Sequence, residues 1–136
     1  QKAIANKSDY LGAYVGLAAV YEKKQDFDKA IGSYSSILPL ASQNPEVLFN
    51  LGRLYYNRRQ KGDWTNAEKL WLESIKLQPG YSNALYSLGL LYESQGDKGR
   101  ALEYYYKVKD VNPGNKEIIS KIFNLVGSAN ESGSIQ

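Results

Sequence analysis

Any chemistry done by this chain is done without histidine or cysteine, because neither occurs among its 136 residues. Zinc-finger ligation, imidazole acid–base catalysis, thiol nucleophiles and cysteine-held iron–sulfur clusters are thereby removed. The carboxylates are scattered, with no credible acid–base pair among them. Gly96-Asp97-Lys98-Gly99-Arg100 has the residue types of a phosphate loop but not its spacing. No catalytic residue, metal ligand or cofactor is assigned, and the chain is read as not an enzyme. What remains is recognition chemistry, carried by 12 Tyr, 3 Phe and 2 Trp together with arginine. The densest basic cluster is Arg53, Arg58, Arg59 and Lys61, with Asp63 and Glu68 close by. The net charge of +3 is too small to imply nucleic acid, so the cluster reads as a solvated turn.

Composition sets the frame for that recognition. Apolar residues make up 43%, an ordinary globular share, and the length suffices for one domain with a sizeable core. The longest apolar-rich stretch, Leu11 to Tyr21, contains two glycines and falls short of the ~20 residues of a membrane helix. No direct membrane insertion of this segment is expected, and no secretory signal is visible. Without cysteine, no compartment can be read from disulfide usage. Met is absent even at position 1, which reads as a processed product or an excised piece.

The elements that position the aromatic residues recur three times. The clearest copy has Leu88, Gly89 and Tyr92, then Gly96-Asp97, then Ala101, Tyr105 and Pro113. An earlier copy has Leu51, Gly52 and Tyr55, then Gly62-Asp63-Trp64, then Ala67, Trp71 and Pro79. The first has Leu17, Ala18 and Tyr21, then Asp26-Phe27, then Ala30 and Tyr34. Within each copy the apolar positions follow a helical period on both sides of a turn, which predicts two antiparallel helices. Gly89 and Ala101 are small where the two helix backbones approach, and Tyr92 and Tyr105 fill the space beside that contact.

This pattern resembles the tetratricopeptide repeat family, a helix-turn-helix unit of about 34 residues. The resemblance implies an all-α fold, a right-handed α-solenoid of antiparallel helix pairs with three repeat units and a C-terminal capping helix. The units are expected at 11–44, 45–81 and 82–115, the middle one with three extra residues within Asn57 to Lys61. Residues 1–10 align with the end of the middle unit and read as the tail of a preceding repeat, or else as an N-terminal cap. Pro39 is expected to kink or end the second helix of the first unit. Residues 116–127 are the expected capping helix, with Ile118, Ile119, Ile122, Phe123, Leu125 and Val126 inward and Lys116, Glu117, Ser120, Lys121 and Asn124 outward. Residues 128–136, rich in Ser and Gly, are the expected flexible tail.

In this family the first helix of each repeat lines a concave groove. The residues that share that face are Gly12, Val15, Ala19 and Glu22, then Glu46, Phe49, Arg53 and Tyr56, then Asn83, Tyr86, Leu90 and Glu93. The expected partner-binding groove is therefore Val15, Phe49, Asn50, Arg53, Tyr56, Tyr86, Leu90 and Glu93. Exposed rings beside an arginine match the make-up of a binding hot spot; the competing reading is that Phe49 and Tyr86 serve packing between repeats. Relatives that grip chaperone C-terminal tails use a clamp of Lys, Asn and Arg. The matching slots here hold Val15, Ala19, Asn50, Asn83 and Ser87, and only Asn50 agrees, so chaperone tails are not expected partners. The resemblance implies a protein–protein interaction scaffold with a protein or peptide ligand of unstated identity. The alternative is the soluble repeat tail of a larger bacterial protein, membrane-bound and polysaccharide-handling. A third reading is self-association through exposed repeat ends.

Overall fold

Helix caps written into the sequence help divide the described residues into seven helices. The computed structural model describes residues 7–134 and the side chains of residues 9–127. The helices are α1 (Lys7–Lys23), α2 (Phe27–Ala41), α3 (Pro45–Arg58), α4 (Asp63–Leu77), α5 (Ser82–Ser94), α6 (Lys98–Val111) and α7 (Lys116–Ser134), and no strand occurs among the described residues. Asp26 caps α2 by accepting from the Lys29 amide, and Asp97 caps α6 through the Arg100 amide. Asn44 accepts from the amides of Glu46 and Val47 at the start of α3, where Pro45 occupies the first helical turn. Gly96 turns the chain between α5 and α6 at φ +80°, a conformation that Gln25 adopts at the same slot of the first unit at φ +60°. No described helix is long and apolar enough to cross a membrane.

The helices form two compact units, α1–α4 up to Gln78 and α5–α7 from Pro79 onward. In the first, Ala18, Ala30, Ile31, Tyr34, Ile37, Leu51 and Leu54 share one core in which α2 packs against both α1 and α3. In the second, Leu85, Leu88, Leu91, Ala101, Tyr105, Val108 and Ile118 are buried. Two hairpins are closed by a ring laid on a glycine. A Cβ at Gly52 would fall 2.6 Å from Nε1 of Trp71, and one at Gly89 would fall 2.6 Å from Cδ1 of Tyr105. Only the missing side chain lets each ring reach its seat.

Several expectations change. Helix α1 begins at Lys7, so Lys7 to Tyr10 are its first turn, while the first six residues of the expected preceding tail lie outside the described residues. Pro39 does not end α2, which runs on to Ala41; so near the C-terminus it deletes only the bond to the Ser35 carbonyl. Helix α7 continues through the expected flexible tail to Ser134, since no proline interrupts it; residues 135–136 lie outside the described residues. Its inward face is narrower than expected, an Ile118, Ile122 and Leu125 stripe, because α7 has α6 on one side and leaves Phe123 76% exposed. Glu117 and Lys121, expected outward, instead reach back to α5. Leu17, a signature position, is 42% exposed, whereas its counterparts Leu51 and Leu88 are buried. Leu51 belongs to the core shared with α2, whereas among the described residues α1 packs mainly on α2.

The three extra residues of the middle unit add one residue each to α3, to the connection and to α4, relative to α5, its turn and α6. The longer connection is fastened by charge. Arg58 donates from Nε to Asp63 Oδ2 at 2.9 Å and from Nη2 to Oδ1 at 2.8 Å, and the Gln60 amide also donates to Asp63. A third guanidinium nitrogen reaches Asp28 on α2 at 2.8 Å. Asp63 is almost fully buried, and the Arg58 hydrogen bonds hold its carboxyl below the usual range against the opposing effect of burial.

Gly89→Ala should lower stability by about 1–3 kcal/mol, the cost of forcing a methyl group into a filled core, measured by chemical denaturation. For Asp63 the sign follows from its depressed folded pKa: its contribution is present above the unfolded value of about 3.9 and is lost as pH falls through the lower folded value. Asp63→Asn should therefore cost about 3 kcal/mol at neutral pH, by leaving Arg58 without its buried counter-charge. The difference from wild type should shrink in acid, and a difference that persisted unchanged at low pH would contradict the assignment.

Candidate aromatic recognition surface

In the α3–α4 and α5–α6 hairpins the buried ring carries a polar tip that ties it to the first helix of the pair. Trp71 donates from Nε1 to the Phe49 carbonyl at 3.0 Å, and the Tyr105 hydroxyl donates to Glu93 at 2.6 Å. Further rings rest on these two. Phe49 lies 6.5 Å from Trp71 and Tyr56 lies 5.7 Å from it, while Tyr56 also stacks on Trp64 at 5.3 Å. Trp64 in turn donates to the Tyr56 carbonyl at 3.3 Å. In the second unit Tyr86 lies 5.9 Å from Tyr105. Residues at i and i+7 of one helix share a face, which is why Phe49 and Tyr56 belong to a single patch.

All eight residues expected in the groove are half-buried: Val15, Phe49, Asn50, Arg53 and Tyr56 in the first unit, and Tyr86, Leu90 and Glu93 in the second. Each ring is thus seated on its own hairpin core while part of its surface meets solvent. Within the first unit α3 brings Phe49, Asn50, Arg53 and Tyr56 together. Trp64, which stacks on Tyr56 from the start of α4, belongs to the patch and was not among the expected residues. Its position beside the Gly-Asp turn was the available signal.

The charged members are already paired. Arg53 meets Glu22 of α1 in a two-pronged ion pair, Nη1 to Oε2 and Nη2 to Oε1, the latter at 3.0 Å, and Nη2 also reaches Asn50 Oδ1 at 3.4 Å. Burial raises the nearby Tyr34 hydroxyl above its ordinary pKa, with Arg53 opposing and Glu22 assisting. In the second unit Glu93 accepts from Tyr105 and lies 3.7 Å from Lys121, whose ammonium also sits over the Tyr105 ring at 5.7 Å. Tyr86 donates to Glu117 at 2.7 Å. Burial, then that bond to an anionic acceptor, pushes its hydroxyl up to about 12.

The basic cluster is divided in the same way. Arg53 faces Glu22 and Arg58 faces Asp63 and Asp28, which leaves Arg59 and Lys61 as its exposed members. Among the described residues no group of three or more Asp or Glu side chains is placed to hold a metal ion.

Comparison with known proteins places this geometry. The tetratricopeptide repeat family matches at residues 49–116 and again at 13–46. The chain is 31% identical over 119 residues to the BBSome complex member BBS4 homolog of Drosophila melanogaster, covering 86% of this chain and 23% of that protein. The chain thus spans less than a quarter of that relative's length. Two solved structures share the fold. One is the first tetratricopeptide domain of Spaghetti (RPAP3), bound to the HSP90 peptide SRMEEVD, with a TM-score of 0.80 at 19% identity over 90% of this chain and 95% of that one. The other is the Sgt2 tetratricopeptide domain of Aspergillus fumigatus, with a TM-score of 0.77 at 22% identity over 91% of this chain and 82% of that one.

Proposed function

The chain belongs to the tetratricopeptide repeat family, an all-α helical-repeat solenoid used as a scaffold for protein–protein interaction, and from that premise we propose that its first-helix faces grip a peptide or protein segment. Phe49, Tyr56 and Trp64 are the anchors in the first unit, with Val15 and Asn50 beside them. Tyr86 and Leu90 anchor in the second. The observation that carries this reading is the half-buried seating of the rings. Their backs are fixed by Trp71 and Tyr105, so little side-chain entropy is left to lose when a ligand covers them.

The pairing of the charges adjusts what the ligand should be. Arg53 is matched by Glu22, and Glu93 by Lys121, so neither is a spare charge to orient a ligand. An apolar or aromatic segment suits this surface better than an acidic one. The clamp slots support the same conclusion: Val15, Asn83 and Ser87 stand where a chaperone-tail reader needs cations, and Ala19 where it needs an asparagine. No catalysis is assigned to the chain itself.

A second reading is that the repeats are the interaction arm of a larger protein, including the membrane-bound, polysaccharide-handling kind. The small share of the BBS4 homolog that they match is consistent with such an arrangement.

A peptide library displayed on phage and panned on the 136-residue chain tests the first reading. Selected binders should be rich in apolar and aromatic residues. A Phe49→Ala/Tyr56→Ala variant should lose more than about 2 kcal/mol of affinity for them. Arg59→Ala/Lys61→Ala is the control, because both side chains are exposed in the connection between α3 and α4. Loss of binding only in the control variant, or selection of acidic C-terminal tails, would overturn the proposal. Melting curves of both variants separate lost contacts from lost fold.

A further inference from the structure

The first unit holds a cavity that the first-helix face does not use. It lies between α2 and α4 with α3 as its floor, has a volume of about 300 Å³, and is lined by Leu38, Leu51, Tyr55 and Leu70. Lys69 and Glu73 stand on its rim, one turn apart on α4, and both are exposed. Among the described residues no ion pair or hydrogen bond occupies the side chain of either.

The internal repeat shows what this space is shaped to take. In the second unit the slot of Leu70 is filled by Tyr104, whose ring lies 5.6 Å from Tyr92, the counterpart of Tyr55. Leu70 is smaller, so Tyr55 has no ring from its own hairpin at that place and the cavity remains. A ring supplied from outside would complete it.

The chain carries a ring in a matching charge frame. Tyr106 on α6 is 44% exposed with Glu103 beside it at i−3, and Lys107, four residues after Glu103, lies next to Glu103 with its ammonium over the Tyr104 ring at 5.6 Å. Glu103 and Lys107 are one turn apart, as are Lys69 and Glu73, with the signs reversed. We propose that the α2–α4 cleft receives Tyr106 from a second copy of this chain, with Glu103 set against Lys69 and Lys107 against Glu73. The two α-helices then run parallel, the Tyr106 ring lies on Tyr55 and Leu70, and both charge pairs close at the rim. The surface is separate from the first-helix face and does not rest on the peptide-binding proposal.

Sedimentation velocity of the full chain across a range of concentrations tests this, with charge reversal as the probe. Wild type should self-associate. Lys69→Glu and Glu103→Lys should each weaken association by about tenfold or more, since each places like charges together at the contact. The Lys69→Glu/Glu103→Lys double variant should regain most of the loss. Tyr106→Ala should abolish association with the melting temperature unchanged. A wild-type chain that stays monomeric at the highest concentration reached would overturn the proposal. So would association that ignores both reversals, which would place the contact on the exposed apolar faces of α1 and α7. A double variant no better than the singles would also overturn the stated pairing.

Discussion

A ring on a glycine is the contact from which the rest of this structure is built. Trp71 lies on Gly52 and Tyr105 lies on Gly89, each so close that a methyl group on the glycine would overlap the ring. The contact draws the two helices of a hairpin together and buries an aromatic side chain completely or nearly so. Burying a ring that bears a polar atom then requires a partner for that atom. Trp71 finds it in the Phe49 carbonyl and Tyr105 in the Glu93 carboxylate, both on the first helix. The same contact therefore fixes the hairpin and sets the platform on which Phe49, Tyr56 and Tyr86 rest. In each unit the half-buried rings and the buried ring are consecutive layers of an aromatic stack.

Much of this could be read from residue spacing. The small residues Gly52, Ala67, Gly89 and Ala101, and the rings 16 and 19 residues beyond the glycines, identify the hairpins because close packing restricts those positions to few residue types. The caps at Asp26, Asn44 and Asp97 were equally local. What the sequence did not disclose were pairings between side chains far apart along the chain. Arg53 and Glu22 are 31 residues apart, and so are Tyr86 and Glu117; each partner alone reads as an ordinary polar residue on a helix. The face of α7 was also hidden, because its apolar residues cover more of the helix circumference than α6 can bury. Leu17 shows the reverse case: its type is that of a core residue, but burial depends on a neighbouring helix, and among the described residues none covers it.

Charge does a different job in this fold from the one its composition suggests. The basic residues that look like a patch are distributed between a buried aspartate, an ion pair linking α1 to α3, and two exposed side chains. Arg58 and Asp63 fasten the lengthened connection of the middle unit, where backbone bonds alone are few. Arg53 and Glu22 are partly exposed, and a pair of that kind contributes about 1 kcal/mol at most. Its larger effect is to neutralise the charge that Arg53 brings to α3.

Under the proposed function the first helices, and not the second, form the ligand-binding face. Backbone amide chemical-shift mapping of the chain with a selected aromatic peptide tests it most directly. Perturbations should concentrate on α3 around Phe49, Arg53 and Tyr56, on α1 around Val15, and on α5 around Tyr86 and Leu90. Perturbations confined to α2 and α4 around Leu38, Lys69 and Glu73, with the first helices unmoved, would contradict it.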